Sequence, residues 1–168
     1  IRGESLEKFD PMKASLAIEN FWINDLSLWY VRRSRKRFTE AEQTFYNVLL
    51  TLAKLITPFM PFLAEEIYQQ LKNKDMPESV HLCDWPKADK KLIDEKLEKD
   101  MQEVRDIVSL ALAKRAELGI GVRQALQKLK VKSAKFKVGK EFLELIKDEV
   151  NVKEVVFDDS IEGEVELD

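Results

Sequence analysis

Apolar residues recur at intervals of three and four through most of the first 118 positions, and that period is lost after Gly121. Asp10-Pro11 reads as a helix start, because Asp accepts from the free amides of a first turn and Pro at the first helical position has no N–H to leave unpaired. The helix is expected to run to about Arg37. Ala14, Ala17, Ile18, Phe21, Trp22, Leu28 and Trp29 form its stripe, and Ile23, Leu26 and Val31 widen that stripe beyond one face. Thr39 and Glu42 have the spacing of a reciprocal capping box, so a second helix is expected from there, burying Phe45, Val48, Leu49, Leu52, Leu55 and Ile56. Pro58 and Pro61 break that pattern, since each lacks a backbone donor and clashes with the preceding turn. A third helix should follow to about Leu71.

The stretch from Asn73 carries Pro77 and Pro86, and its one apolar run, Val80 to Trp85, reads as extended. We expect a linker over 73–88. From Asp89 or Asp94, Leu97, Met101, Val104, Val108, Ala111 and Leu112 mark a long amphipathic helix that Gly119 should stop. Leu129 and Val131 then alternate with lysines, and Ala134, Phe136 and Val138 alternate in the opposite phase, as in a strand with a bulge or turn near Ser133. A short helix around Phe142–Val150 and strands at Val155/Phe157 and Val165/Leu167 complete the pattern. The expected architecture is mainly α: a four-helix bundle over 1–119, followed by a small α/β unit over 120–168.

Composition narrows the function classes. No stretch approaches the roughly 20 apolar residues of a membrane span, and no signal peptide is recognisable, so a cytoplasmic protein is expected. One cysteine, Cys83, and one histidine, His81, leave no internal disulfide and no four-ligand zinc set, so no metal site is expected. Net charge is only −3, yet it is unevenly spread. Residues 111–140 carry nine Lys or Arg against one acid, and residues 141–168 carry eleven acids against Lys147 and Lys153. A second basic cluster, Arg32, Arg33, Arg35, Lys36 and Arg37, follows Trp29 and Tyr30.

Those five cations stand at the carboxyl end of a helix, where the dipole favours them whatever they bind. Arginine forks also suit phosphate oxygens. On an α-helix Arg32 would share a face with Lys36, and Arg33 with Arg37. We therefore expect an RNA-backbone contact at Arg32, Arg33, Arg35, Lys36 and Arg37. Trp29 and Tyr30 are expected to pack rather than to stack on bases. Arg123 and Gln124, in a loop after a helix stop, are further RNA-binding candidates. His81 and Cys83 are two apart and on a strand would face one side, but no orienting third residue accompanies them, so no catalytic residue is expected. Glu65-Glu66 read as first-turn acids, and Lys128, Lys130 and Lys132 as the solvated face of an edge strand. A helical protein-interaction module, whose basic and acidic segments dock on each other or on a partner, is the alternative.

Two segments, Asp25-Leu26-Ser27-Leu28-Trp29-Tyr30-Val31-Arg32-Arg33-Ser34-Arg35 and Thr57-Pro58-Phe59-Met60-Pro61-Phe62-Leu63-Ala64-Glu65-Glu66-Ile67-Tyr68, resemble the anticodon-binding bundle of class Ia aminoacyl-tRNA synthetases. Ser79–Pro86, Val122-Arg123-Gln124 and Leu145–Val155 look like isoleucyl enzymes rather than valyl or leucyl ones, the alternatives within that class. The family's usual basic residue and proline around Val-Arg-Gln are Gly121 and Ala125 here, which loosens the loop. The resemblance implies a parent enzyme that aminoacylates isoleucine tRNA using ATP, with Mg as a further candidate cofactor. It also implies that this piece binds the anticodon arm, needs no cofactor itself and is inactive alone. The signatures His-Ile-Gly-His and Lys-Met-Ser-Lys-Ser are not in these residues, so catalytic and editing domains are expected upstream, and both ends are expected to be cut points.

Overall fold

The computed structural model describes residues 10–136 and 138–168, without the Lys36 side chain; the expectations for Lys36 and Lys137 as charged groups therefore lie outside the described residues. The chain is mainly helical, followed by a small mixed β-sheet, and it divides into two compact units, 1–89 and 90–168.

In the first unit, α1 (Pro11–Asn20) starts as its sequence requires: Asp10 Oδ1 accepts from Lys13 N at 3.0 Å, and Pro11 takes the first position. The chain continues as a π-helix over Phe21–Val31, then an α-turn over Arg32–Ser34 and a 3₁₀ turn over Arg35–Arg37. A π-helix is wider than an α-helix, so the expected 3.6-residue stripe does not hold through it. Leu26 is its buried residue, while Trp22 and Leu28, both assigned to the stripe, are exposed. Helix α2 (Phe38–Ile56) follows with no side-chain cap, so the Thr39/Glu42 capping box does not form; Arg37 is the cap position and Thr39 already lies inside the helix.

Pro58 and Pro61 act as expected. A turn closes α2, Met60 N donates to Ile56 O at 2.9 Å, and Pro61 opens α3 (Pro61–Leu71). The core of this unit joins Ile18 and Leu26 to Leu52 and Ile56 of α2, and to Ala64 and Tyr68 of α3. Val80 is buried against them, but Val80–Leu82 is a 3₁₀ turn rather than the extended run read from sequence. Glu65 is the reason. Its Oε2 accepts from Ser79 Oγ at 2.8 Å and Val80 N at 2.9 Å, pulling the segment onto α3.

In the second unit, α4 (Glu95–Glu117) is capped by Asp94, whose Oδ1 accepts from Leu97 N at 3.0 Å, and it ends before Gly119 at φ +68°, the left-handed position foreseen for that glycine. Helix α4 packs on α5 (Leu143–Val150) and on β3 (Val165–Leu167). The chain thus divides near residue 89, not at 119: Val104, Ile107, Val108 and Ala111 are buried with the second unit's sheet and helix. The sheet order is β2-β1-β3, with β1 (Leu126–Val131) parallel to β2 (Val152–Phe157) and antiparallel to β3. So β1 is the central strand, where an edge strand was expected. Its lysines are matched across the sheet, Lys128 with Glu154 and Lys130 with Glu166, each at 3.2 Å. Beyond Val131 the chain makes the turn expected near Ser133, at 133–135, where Asp159 accepts from Ala134 N at 2.8 Å and from Ser133 Oγ, but no strand follows at Ala134 and Phe136.

Candidate nucleic-acid interface

The first cationic group is set by the change of helix type. The π-helix ends at Val31, the α-turn carries Arg32 and Arg33, and the 3₁₀ turn carries Arg35 to Arg37. Arg33 and Arg37, expected to share a face on a uniform α-helix, stand on different helix types, the α-turn and the 3₁₀ turn. Arg32 and Arg33 are instead gathered over one ring, their guanidinium carbons 5.9 and 5.7 Å from the centroid of Trp29. Each such contact contributes about 0.5–1 kcal/mol at an exposed site. Arg32 Nε also donates to Leu28 O at 2.9 Å. Arg35 and Arg37 are exposed. Tyr30 packs on the first unit's core and its hydroxyl donates to Ala41 O at 3.4 Å, in keeping with a packing role.

The second group, Arg123 and Gln124, belongs to the other unit. Both side chains are exposed on the short connection between α4 and β1. Gln124 N donates to Gly121 O at 3.0 Å, which closes the connection into a turn. Beneath it lies Arg115, 1% exposed, a residue that sequence reasoning counted only as one cation among nine. A signal was present: Arg115 stands four residues after Ala111 and seven after Val108, in phase with the buried stripe of α4.

The broader basic field of residues 111–140 is largely spent within the second unit. Lys128, Lys130 and Lys135 pair with Glu154, Glu166 and Glu164 respectively. The hydrogen bond to Glu166 comes first in raising the Lys130 pKa above its ordinary value. Among the described residues, no cluster of His, Cys, Asp and Glu has the makings of a metal site, and no helix is long and apolar enough to cross a membrane. Cys83 Sγ lies 3.8 Å from Ser79 O, as a donor to that carbonyl, and the 3₁₀ turn removes the strand alternation that would have set His81 and Cys83 side by side.

Residues 3–131 match the family described as the anticodon-binding domain of tRNA ligase. The chain is 43% identical over 168 residues to the isoleucine–tRNA ligase of Chlamydia pneumoniae, with 92% of the chain and 16% of that protein covered. It is 42% identical over 166 residues to the isoleucine–tRNA ligase of Protochlamydia amoebophila, with 92% and 16% covered. The corresponding enzyme of Thermus thermophilus is 43% identical over 167 residues, with 90% and 16% covered. The chain thus spans about one-sixth of the length of these relatives. With a family match that covers most of its length, the chain belongs to the anticodon-binding domain family of tRNA ligases.

Proposed function

We propose that this chain is the part of a cytoplasmic isoleucine–tRNA ligase that binds the anticodon arm of isoleucine tRNA. In this reading the parent enzyme aminoacylates that tRNA with ATP and Mg through catalytic and editing domains upstream, and this piece is inactive alone. The observation that carries the proposal is the family match over 3–131, which includes the whole run Arg32–Arg37 and the Arg123–Gln124 turn. Arg32, Arg33, Arg35, Lys36 and Arg37 hold phosphates, with Arg32 and Arg33 pre-oriented over Trp29. Pre-orientation lowers the side-chain entropy lost on binding. Arg123 and Gln124 supply the second contact.

Phosphate contacts release counterions, so affinity falls with salt, by about 0.7–0.9 in log–log slope for each phosphate neutralised. The test is titration of the 168-residue chain with isoleucine tRNA and a non-cognate tRNA over a salt series, for wild type and Arg35→Ala/Arg37→Ala. The expected result is tighter binding of isoleucine tRNA and a slope shallower by roughly 1.4–1.8 in the double variant. Equal slopes for variant and wild type would remove these arginines from the interface, and absence of binding by a folded chain would remove the proposal.

A further inference from the structure

Arg115 has an arrangement that folding alone does not call for. Its guanidinium is always charged, and it is almost wholly buried. Burying a charge costs several kcal/mol unless good partners repay it, and replacing buried ionic groups by apolar side chains of similar volume is often neutral or stabilising. The partners of Arg115 are few and local. Nη2 donates to Gly121 O at 2.8 Å, to Val122 O at 3.5 Å and to Gln124 O, while Nε and Nη1 have no hydrogen-bond partner among the described residues. All the hydrogen bonding of a buried cation is thus directed at three carbonyls of one four-residue turn.

The turn has little stiffness of its own. Gly121 has nothing within 4 Å of where a Cβ would stand, and Ala125 does not restrict its neighbours as proline would. It is held by outside ties. Arg115 draws its carbonyls inward, and Asn151, in the left-handed conformation at φ 56°, donates from Nδ2 to Val122 O at 2.9 Å. Leu126 N donates to Asn151 O at 3.1 Å, anchoring the exit of the turn to the same residue. With the carbonyls turned in, the side chains of Arg123 and Gln124 stand in solvent.

We propose that Arg115 is a positioning residue: it fixes the Gly121–Gln124 turn from beneath so that Arg123 and Gln124 are presented to RNA in one conformation. The RNA half of this assignment rests on the function proposed above; the hold on the turn does not. Two readouts separate them. The first is amide hydrogen exchange at Gln124, whose N–H is bonded to Gly121 O. In Arg115→Met exchange at Gln124 should be at least ~10-fold faster while the amides of β1 stay protected, since local opening is read separately from global unfolding. Arg115→Lys retains the charge and some donors but not the fork, and should fall between the two. It also serves as the test variant if Arg115→Met does not fold.

The second readout is a binding cycle with isoleucine tRNA. Arg115→Met should weaken binding by ~3- to 10-fold, and should weaken it no further when added to Arg123→Ala/Gln124→Ala, as expected of residues that act as one unit. Wild-type exchange at Gln124 in a folded Arg115 variant overturns the proposal, and so does an equal binding loss with Arg123 and Gln124 already removed. If Arg123→Ala/Gln124→Ala binds as wild type does, the loop's part in the proposed function fails, and the exchange readout alone decides whether Arg115 holds the turn.

Discussion

Tyr68 offers a test of how the first unit is held together. It is fully buried on α3, and its hydroxyl donates to Pro77 O at 2.8 Å, tying the connection after α3 back onto the helix. Tyr68→Phe keeps the ring and removes that bond, together with the hydroxyl's side-chain hydrogen bond to Cys83. A neutral hydrogen bond contributes a net 0.5–1.5 kcal/mol, so the variant should be about 1 kcal/mol less stable at pH 7. The pH dependence is sharper still. Burial comes first in raising the Tyr68 pKa to about 12, from an ordinary value near 10. The folded state therefore binds the proton more tightly than the unfolded state. The stabilisation that comes with it is complete below pH 10 and is lost as pH climbs from 10 toward 12. Phe has no such proton, so the advantage of wild type should shrink over that range and reverse. Urea unfolding followed by tryptophan fluorescence is the assay, because Trp22, Trp29 and Trp85 all lie in the first unit and report on it selectively. Equal stabilities at pH 7, or a difference that stays constant from pH 8 to 11.5, would refute the reasoning.

Three further outcomes follow from particular contacts. Glu65 accepts from Gln69, Ser79 and Val80, and the Gln69 bond comes first in holding its carboxyl below the ordinary value. The resulting stabilisation is present above the unfolded-state pKa and is lost as pH falls through the folded one; Glu65→Gln should therefore be less stable than wild type at pH 7 and lose that difference as pH falls below the ordinary carboxylate range, as read by the same fluorescence assay. In the second unit, Ile146 is fully buried, and Ile146→Ala should cost about 2–5 kcal/mol, measured as a lower urea midpoint by far-UV circular dichroism. Cys83→Ser should leave RNA affinity unchanged in the tRNA titration, since the thiol is turned to Ser79 O; a tenfold loss would place Cys83 in the interface.

Much of the fold was legible because it is decided locally. Asp10-Pro11, the paired prolines, Asp94 and Gly119 set helix ends through amides and dihedral angles within a few residues, and the structure uses each of them. The same holds for α5 and for the strands at Val155/Phe157 and Val165/Leu167. The cationic run Arg32–Arg37 was legible as composition, but not its geometry. The passage from π-helix to 3₁₀ turn leaves no periodic trace, and with it went the prediction of which arginines share a face.

What the sequence by itself determined, then, is where most of the helices and the three strands of the sheet lie, where charge collects, and which family's motifs the chain carries. Tertiary structure decided the rest. An apolar stripe says that a helix must be covered but not by what, so only the packed structure could assign α4 to the sheet unit and divide the chain near residue 89. Alternating lysines look alike on an edge strand and on a central one; it took the pairing of β1 with both β2 and β3 to show that Glu154 and Glu166 answer them. Arg115 is the clearest case. As a letter it is one more cation in a basic segment, and only burial beneath Gly121–Gln124 turns its charge inward, because a desolvated guanidinium must take whatever carbonyls the fold brings within reach.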